Sequence, residues 1–277
     1  MRADLHVHST ASDGTLSPAA LVELAARNGV AVIALTDHDS IAGVEDAILA
    51  AATQKITVVP AVELSAAVGD RSVHILGYFV DVVDRALLGA LADLRIARVA
   101  RAIAIVSSLQ AAGYDITSDA VMALSDGGAV GRTHIARTLV SLGHAESVSD
   151  AFERLVGRGR PFYRPKAHLS PERAIQLIVG SGGIAVMAHP GVSGTEDLIE
   201  DLVVLGLGGV EAHHVDHTVE QCAALVTIAD RHGLLKTGGT DYHSPHAPHP
   251  DLGELSLPEA DLRAFLAAGA TGATVVV

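Results

Sequence analysis

Short apolar runs alternate with amphipathic stretches along most of this chain, and that rhythm predicts its elements. Ala3–Val7 reads as a strand. Ser17 then caps a helix, Pro18 takes its first position, and Leu21, Leu24 and Ala25 share one face until Asn28–Gly29 ends it. Val30–Leu35 is wholly apolar, as a strand covered on both faces should be. Ser40 is expected to cap a helix over Ile41–Thr53. Strands follow at Ile56–Val62 and, after a Gly69–Asp70 turn, at Val73–Phe79. Strand and helix in turn predict a parallel sheet or barrel.

The rhythm stops near Arg85. Leu87–Ala112 reads as one long helix, followed by helical pieces at Ser118–Ser125, Arg132–Leu142 and Ser149–Val156 with no strand between them. Residues 85–164 are therefore expected to form a helical insertion between barrel segments 1–84 and 165–277, with GRGRPFYRP (Gly157–Pro165) as its exit. Helix and strand then alternate again: Pro171–Ser181, Ile184–Ala188, Thr195–Leu205, Val210–Ala212, Val219–His232 and Leu235–Thr237.

Composition narrows the picture. Hydrophobic residues make up 49% of the 277, yet aromatics are only 3% and Trp is absent. The core must be aliphatic, as in layered parallel-sheet folds. A formal charge of −13 argues against an extended nucleic-acid surface or a membrane surface. An anionic substrate would then need positive charge placed locally, and bound metal ions would supply it. The single Cys222 allows neither an internal disulfide nor a thiolate zinc site. Met1 and Arg2 lead straight into a strand and no apolar run is long enough to span a bilayer, so the chain reads as soluble and cytoplasmic.

Polar residues fall at particular places on this map. His6 and His8 lie two apart on a strand and so point to one face. Asp13 follows in the adjoining loop. Later strands end in TDHD (Asp37, His38, Asp39), VELS (Glu63), AHPG (His189) and GGTDYH (Asp241, His243), while His74 sits early in its own strand. The C-terminal edge of parallel strands is where sites form. Any one histidine there reads as an ordinary hydrogen-bonded residue; the whole set, buried together, needs cations. His213, His214, His217, His246 and His249 read instead as loop or rim residues without an assigned role.

In order from Asp4 to His243, DLHVHS with SDG, LTDHDS, VELS, HILGY, AHP and GTDYH resemble the signature motifs of the PHP (polymerase and histidinol phosphatase) metal-dependent phosphoesterases. The length and the GRTHIA segment are most similar to the stand-alone branch that includes 3′,5′-nucleoside bisphosphate phosphatases and 5′-to-3′ exoribonucleases. The resemblance implies a distorted (β/α)7 barrel with a helical insertion and two to three divalent ions at its mouth. By motif, His6, His8, Glu63 and Asp241 would hold one ion. Glu63 would bridge to a second, held also by His74 and His189, and Asp13, His38 and His243 would hold a third. Arg132 and His134 would approach the phosphate from the insertion, as catalytic and substrate-binding residues. Thr240 stands where many members carry Ser, and EAHHVDHT (Glu211–Thr218) does not align readily with the family pattern.

The nitrogen and oxygen ligands suit Mn²⁺, Fe²⁺ or Zn²⁺. The expected reaction is hydrolysis of a nucleotide phosphate ester by a hydroxide bridging two ions about 3.5–4 Å apart. The expected substrate is a 3′,5′-bisphosphonucleotide or a short RNA 5′ end, small enough to need no extended basic surface. Lys166 is a further candidate at the substrate, and Asp37 and Asp39 are expected to orient ligand imidazoles. A phosphatase of a small metabolite such as histidinol phosphate is the alternative. A non-catalytic metal-binding regulatory module is a third reading, which a broken ligand set would favour. The oligomeric state is not legible.

Overall fold

The computed structural model describes residues 1–125, 127–245, 250–255 and 257–270. Seven strands lie in chain order in one sheet: β1 (Ala3–Val7), β2 (Val32–Leu35), β3 (Thr57–Val68), β4 (Arg71–Tyr78), β5 (Ile184–Met187), β6 (Gly209–His214) and β7 (Leu235–Gly239). The ends meet through a bridge between Val7 and Tyr242, with the His8 N–H donating to the Tyr242 carbonyl at 2.9 Å, so the sheet is a nearly closed barrel. Asp4 fastens the seam. Its buried carboxylate accepts from the Thr240 N–H (3.0 Å), the Thr240 hydroxyl (2.6 Å) and the Gly253 N–H (2.8 Å). A Cβ on Gly239 would lie 2.4 Å from the His6 Cβ, so only glycine lets β7 come this close to β1.

Alternate residues explain the layering. Val32 and Ala34, Val59 and Ala61, Leu76 and Tyr78 pack together across the sheet, closed off by Leu262 and Phe265 of a C-terminal helix, Glu259–Ala270. Ile33, Leu35 and Val58 point the other way, onto α1 (Pro18–Arg27) and α2 (Val44–Gln54). Helix α1 begins as expected, with Ser17 accepting from the Ala20 N–H and Pro18 in the first turn. Helix α2 does not. The Ser40 hydroxyl instead accepts from the Ala42 N–H at 3.3 Å, and the helix starts only after Gly43.

Strand direction corrects the parallel expectation. β4 pairs antiparallel with both β3 and β5, while the remaining pairs are parallel. β3 also runs on to Val68, so Glu63 lies within a strand and not at its end. Because β4 is reversed, its beginning reaches the edge where the other strands finish. That places the early residue His74 opposite Ser65, beside Glu63.

Between β4 and Gly157 the described residues form helices and loops: α3 (Arg85–Ala111), α4 (Ser118–Ser125), α5 (Arg132–Ser141) and α6 (Val148–Ala151), the last running into a π turn at Phe152–Val156 that the expected plain helix lacked. These helices have an aliphatic cluster of their own, including Ile105, Leu109, Ile135 and Leu139. Helix α3 serves two cores: Leu87 and Leu91 pack on the barrel, and Ala102 to Leu109 pack among the helices. The expected helix over Thr195–Leu205 is a short 3₁₀ turn, Glu196–Leu198, followed by Ile199–Val204. No helix among the described residues is long and apolar enough to cross a membrane.

Candidate metal centre

At one rim of the barrel the strand ends gather the histidines and carboxylates. Glu63 sits at the middle. Its Oε2 lies 2.8 Å from His38 Nδ1, 3.3 Å from His8 Nε2 and 3.4 Å from His6 Nε2. Its Oε1 lies 2.6 Å from His74 Nδ1 and 3.3 Å from His189 Nε2. Asp241 Oδ1 approaches His8 Nε2 (2.9 Å) and His6 Nε2 (3.3 Å), and Asp13 Oδ1 approaches His243 Nε2 (3.2 Å). Four sets could each hold an ion: His8, Asp13, His38 and His243; His6, His8 and Asp241; His38, Glu63 and His74; and His6, Glu211 and His214.

The donors fit divalent cations. Although close to carboxylates, His6 Nε2, both His8 ring nitrogens, His38 Nδ1, His74 Nδ1, His189 Nδ1, Asp13 Oδ1 and Glu63 Oε2 are buried without a hydrogen-bond partner. So many orphaned atoms in one place would be costly unless a cation satisfied them. The electrostatics agree. Burial pushes the carboxyls of Glu63, Asp13 and Asp241 upward, but the surrounding imidazoles hold all three well below the usual range. His243 is pushed up to about 10, Asp13 and Asp241 prevailing over burial. His8 and His74 are driven down to about 4, mainly by burial, which keeps them neutral and ready to donate a lone pair. The site thus draws positive charge while keeping free imidazoles.

Backbone strain marks the same rim. Asp39, His189 and Asp241 have φ of 52°, 30° and 49°, a left-handed region that costs non-glycine residues energy. Supporting contacts hold each in place. Asp39 accepts from the Ser65 N–H and hydroxyl, both at 2.7 Å, and from Arg98 Nε at 2.7 Å. The His189 N–H donates to Glu211 at 2.8 Å. The Asp241 carbonyl accepts from His243 Nδ1 at 2.7 Å, which turns the His243 Nε2 toward Asp13.

Glu211 was not foreseen. Fully buried on β6, its carboxylate accepts from the His6 Nδ1–H at 3.1 and 3.2 Å, leaving the His6 Nε2 lone pair for the centre. A glutamate on the strand segment GVEAHH, next to Val210 and Ala212, was the available signal. The expectation for its neighbours also needs correction. His214 is buried against Glu211 and His6, and His217 is buried with Nε2 accepting from the Gly191 N–H at 3.2 Å. His213 pairs with Asp261 at 3.1 Å. His246 and His249 lie outside the described residues. Asp37 and Asp39 do not orient imidazoles through hydrogen bonds. Asp37 instead holds the loop before Asp13, accepting from the Ser9 N–H (2.8 Å) and from the hydroxyls of Ser9 and Ser12 (both 2.6 Å).

The centre opens into a cavity of about 580 Å³, within the usual range for small-molecule sites. Asp13, His38 and His74 lie at one side. Arg98, Arg101, Arg132, Arg158 and Lys166 also line it, so the chain supplies positive charge of its own and does not rely on ions alone. Lys166 Nζ lies 4.0 Å from Asp39 and is pushed down to about 7, first by burial and then by Arg98. Arg132 leads α5, whose next residue, Thr133, donates to Asp13 at 3.0 Å. His134 departs from its expected place at the phosphate. It is buried, its Nδ1 accepts from the Gly131 N–H at 3.0 Å, the Ser12 backbone engages the ring as well, and it is absent from the cavity lining. With the ring occupied by backbone, it secures the turn that presents Arg132.

A nearly closed barrel with nitrogen and oxygen donors clustered at one rim defines a metallohydrolase. The PHP domain matches residues 4–156, and the chain belongs to that family, as a metal-dependent phosphoesterase. A 3′,5′-nucleoside bisphosphate phosphatase of Chromobacterium violaceum is 38% identical over 256 residues, 90% of each chain. A 5′-3′ exoribonuclease of Haemophilus influenzae is 37% identical over 247 residues, 87% of this chain and 90% of that one. The crystal structure of a candidate metal-dependent phosphoesterase from Bifidobacterium adolescentis superposes with a TM-score of 0.91 at 34% identity, covering 96% of each chain.

Proposed function

We propose that this chain hydrolyses the 3′-phosphoryl ester of nucleotides, acting on 3′,5′-bisphosphonucleotides and on short RNA from its 5′ end. The observation that carries the reading is a single cavity with orphaned metal-type donors at one side and cationic side chains along its wall. Similarity to a bisphosphate phosphatase and to an exoribonuclease supports the nucleotide part of it.

Two to three divalent ions, Mn²⁺, Fe²⁺ or Zn²⁺, would be held by His6, His8, Glu63 and Asp241, by Glu63, His74 and His189, and by Asp13, His38 and His243. When bound, such ions supply Lewis acidity toward a phosphoryl oxygen and make a water acidic enough to attack phosphorus near neutral pH. The chain's own residues do the rest. Glu211 keeps the His6 ring in one tautomer and one orientation. Thr133 ties the head of α5 to Asp13, which fixes Arg132 relative to the centre. Arg132 and Lys166 then meet the phosphoryl oxygens with charged N–H donors. Residues 85–164 act as a helical lid on the barrel formed by 1–84 and 165–277, and Arg98 joins the two by donating to Asp39 on one side and to the Val130 carbonyl (3.4 Å) on the other.

The test is a panel assay of the Mn²⁺-loaded protein with adenosine 3′,5′-bisphosphate, a short 5′-phosphorylated RNA and histidinol phosphate. Turnover of the first two is expected. Release of phosphate from histidinol phosphate alone would overturn the nucleotide reading.

A further inference from the structure

A second cavity, of about 430 Å³, lies between α3 and the head of α7 (Pro171–Gly180), within the usual range for small-molecule sites. It adjoins the catalytic cavity at one residue, His168, which lines both. Its lining is mostly small or aliphatic, with Gly89, Ala90 and Leu94 of α3 among it. Packing gives no reason for glycine at position 89. A Cβ there would meet nothing within 4 Å, and glycine inside a helix is destabilising relative to alanine. Its effect is to keep the groove open. Arg85 and Arg173 line the same groove. Each lies in the first turn of its helix, where the backbone already carries partial positive charge. The acids nearby do not neutralise them. Asp84 accepts from the Leu87 N–H at 2.8 Å, and Glu172 accepts from Gln176 at 3.3 Å. Asp93 is the one acid among the lining residues, and it forms an ion pair with neither arginine.

An open apolar floor beside two unpaired guanidiniums suits a nucleotide: a base lies on the floor and a phosphate meets the arginines. Continuity at His168 says which nucleotide. A bisphosphonucleotide ends at its 3′-phosphoryl group and has nothing to send beyond the metal centre. RNA does not end there. Its strand continues from the scissile phosphate and must leave the catalytic cavity. We infer that the groove between α3 and α7 holds the nucleotide that follows the scissile linkage of a short RNA, with its base over Gly89 and Ala90 and its 3′-phosphate at Arg85 and Arg173. Hydrolysis then adds water across the bond between phosphorus and the 3′-oxygen of the first nucleotide. The hydroxyl goes to phosphorus and the proton to the departing 3′-oxygen. The shortened strand keeps a 5′-phosphate, and the groove keeps the part of the substrate that will be cut next. The inference rests on the phosphoesterase reading of the centre and adds the element that separates RNA from a bisphosphonucleotide.

The experiment measures kcat/KM of the full Mn²⁺-loaded chain on three substrates: adenosine 3′,5′-bisphosphate, a 5′-phosphorylated RNA dinucleotide and a 5′-phosphorylated RNA trinucleotide. Only the trinucleotide has a phosphate after its second nucleotide. Arg85→Gln and Arg173→Gln should each lower kcat/KM on the trinucleotide about 10-fold or more, as expected for hydrogen bonds to a charged group. Both should leave the dinucleotide and the bisphosphonucleotide unchanged. Gly89→Leu fills the groove while favouring the helix. It should slow both RNAs and spare the bisphosphonucleotide. Metal content and melting temperature show that each variant is folded and loaded. Equal losses on RNA and bisphosphonucleotide, no loss on the trinucleotide, or a wild type that hydrolyses the bisphosphonucleotide but neither RNA would overturn the inference and leave the phosphoesterase reading standing. No turnover of any of the three substrates would overturn both.

Discussion

The floor and the wall of the cavity are built on opposite principles. The floor comes from strand ends of the barrel, and its buried imidazole and carboxylate atoms lack hydrogen-bond partners. The wall comes largely from the helices between β4 and β5 and from the segment leaving them, and two of its arginines, Arg101 and Arg132, have no carboxylate partner among the described residues. The floor is short of cations and the wall is short of anions. A metal-bound phosphate ester satisfies both at once. In a chain with a net charge of −13, the positive charge that would hold a polyanion is thus placed locally, in the cavity.

The largest way to break this contrast is at the centre of the floor. Glu63→Ala should lower turnover on the order of 10³-fold or more, since several kcal/mol of charge stabilisation depend on the ions it helps to hold. Elemental analysis should show metal lost in parallel; a variant that kept both would detach Glu63 from the centre. Next comes the joint between floor and wall. Arg98→Met leaves Asp39 buried without its partner, a change that costs about 3–5 kcal/mol, measurable by urea unfolding at pH 7. The dependence on pH has a definite sign. Burial raises the Asp39 carboxyl, but Arg98 and then Lys166 hold it well below the usual carboxylate range. Its contribution is therefore complete above the unfolded pKa of 3.8 and is lost as pH falls through the lower folded value. The gap between wild type and variant should narrow in acid, and a gap constant with pH would assign the loss to packing instead.

Smaller effects sharpen the contrast. Glu211→Gln should weaken metal binding by about 10- to 100-fold, as outer carboxylates of metal histidines do. Competition with a chelator measures this, and unchanged affinity would remove Glu211 from the support of His6. Lys166→Met should have the smallest effect, about ten-fold on inhibition by inorganic phosphate. Because Lys166 is pushed down to about 7, its charge fades as pH rises through that value. The effect should be seen below pH 7 and largely vanish above it, so a loss independent of pH would contradict a charge-based role.

The sequence made the floor more legible than the wall. Residues two apart on a strand must share a face, so the HVH pair could be placed from the sequence alone. Alternation carries no information about strand direction, however. His74 looked misplaced until the reversal of β4 brought its start to the common rim. Glu211 was hidden because its segment, Glu211–Thr218, does not align readily with the family motifs, and a buried glutamate on GVEAHH was the one signal left. His134 was assigned by resemblance, and its actual bonds depend on how α5 turns at Gly131. The stack of Arg101, Tyr163, Arg132 and Phe152 comes from four points in the chain with no common period. Only the packing of these helices with the segment that leaves them brings the four together.

The most direct measurement is anomalous scattering from crystals of the Mn²⁺-loaded protein. Strong peaks should lie against Glu63, within coordinating reach of His6, His8 and Asp241 on one side and of His74 and His189 on the other. A fully loaded crystal without peaks there, or with its ions bound elsewhere on the surface, would contradict the account.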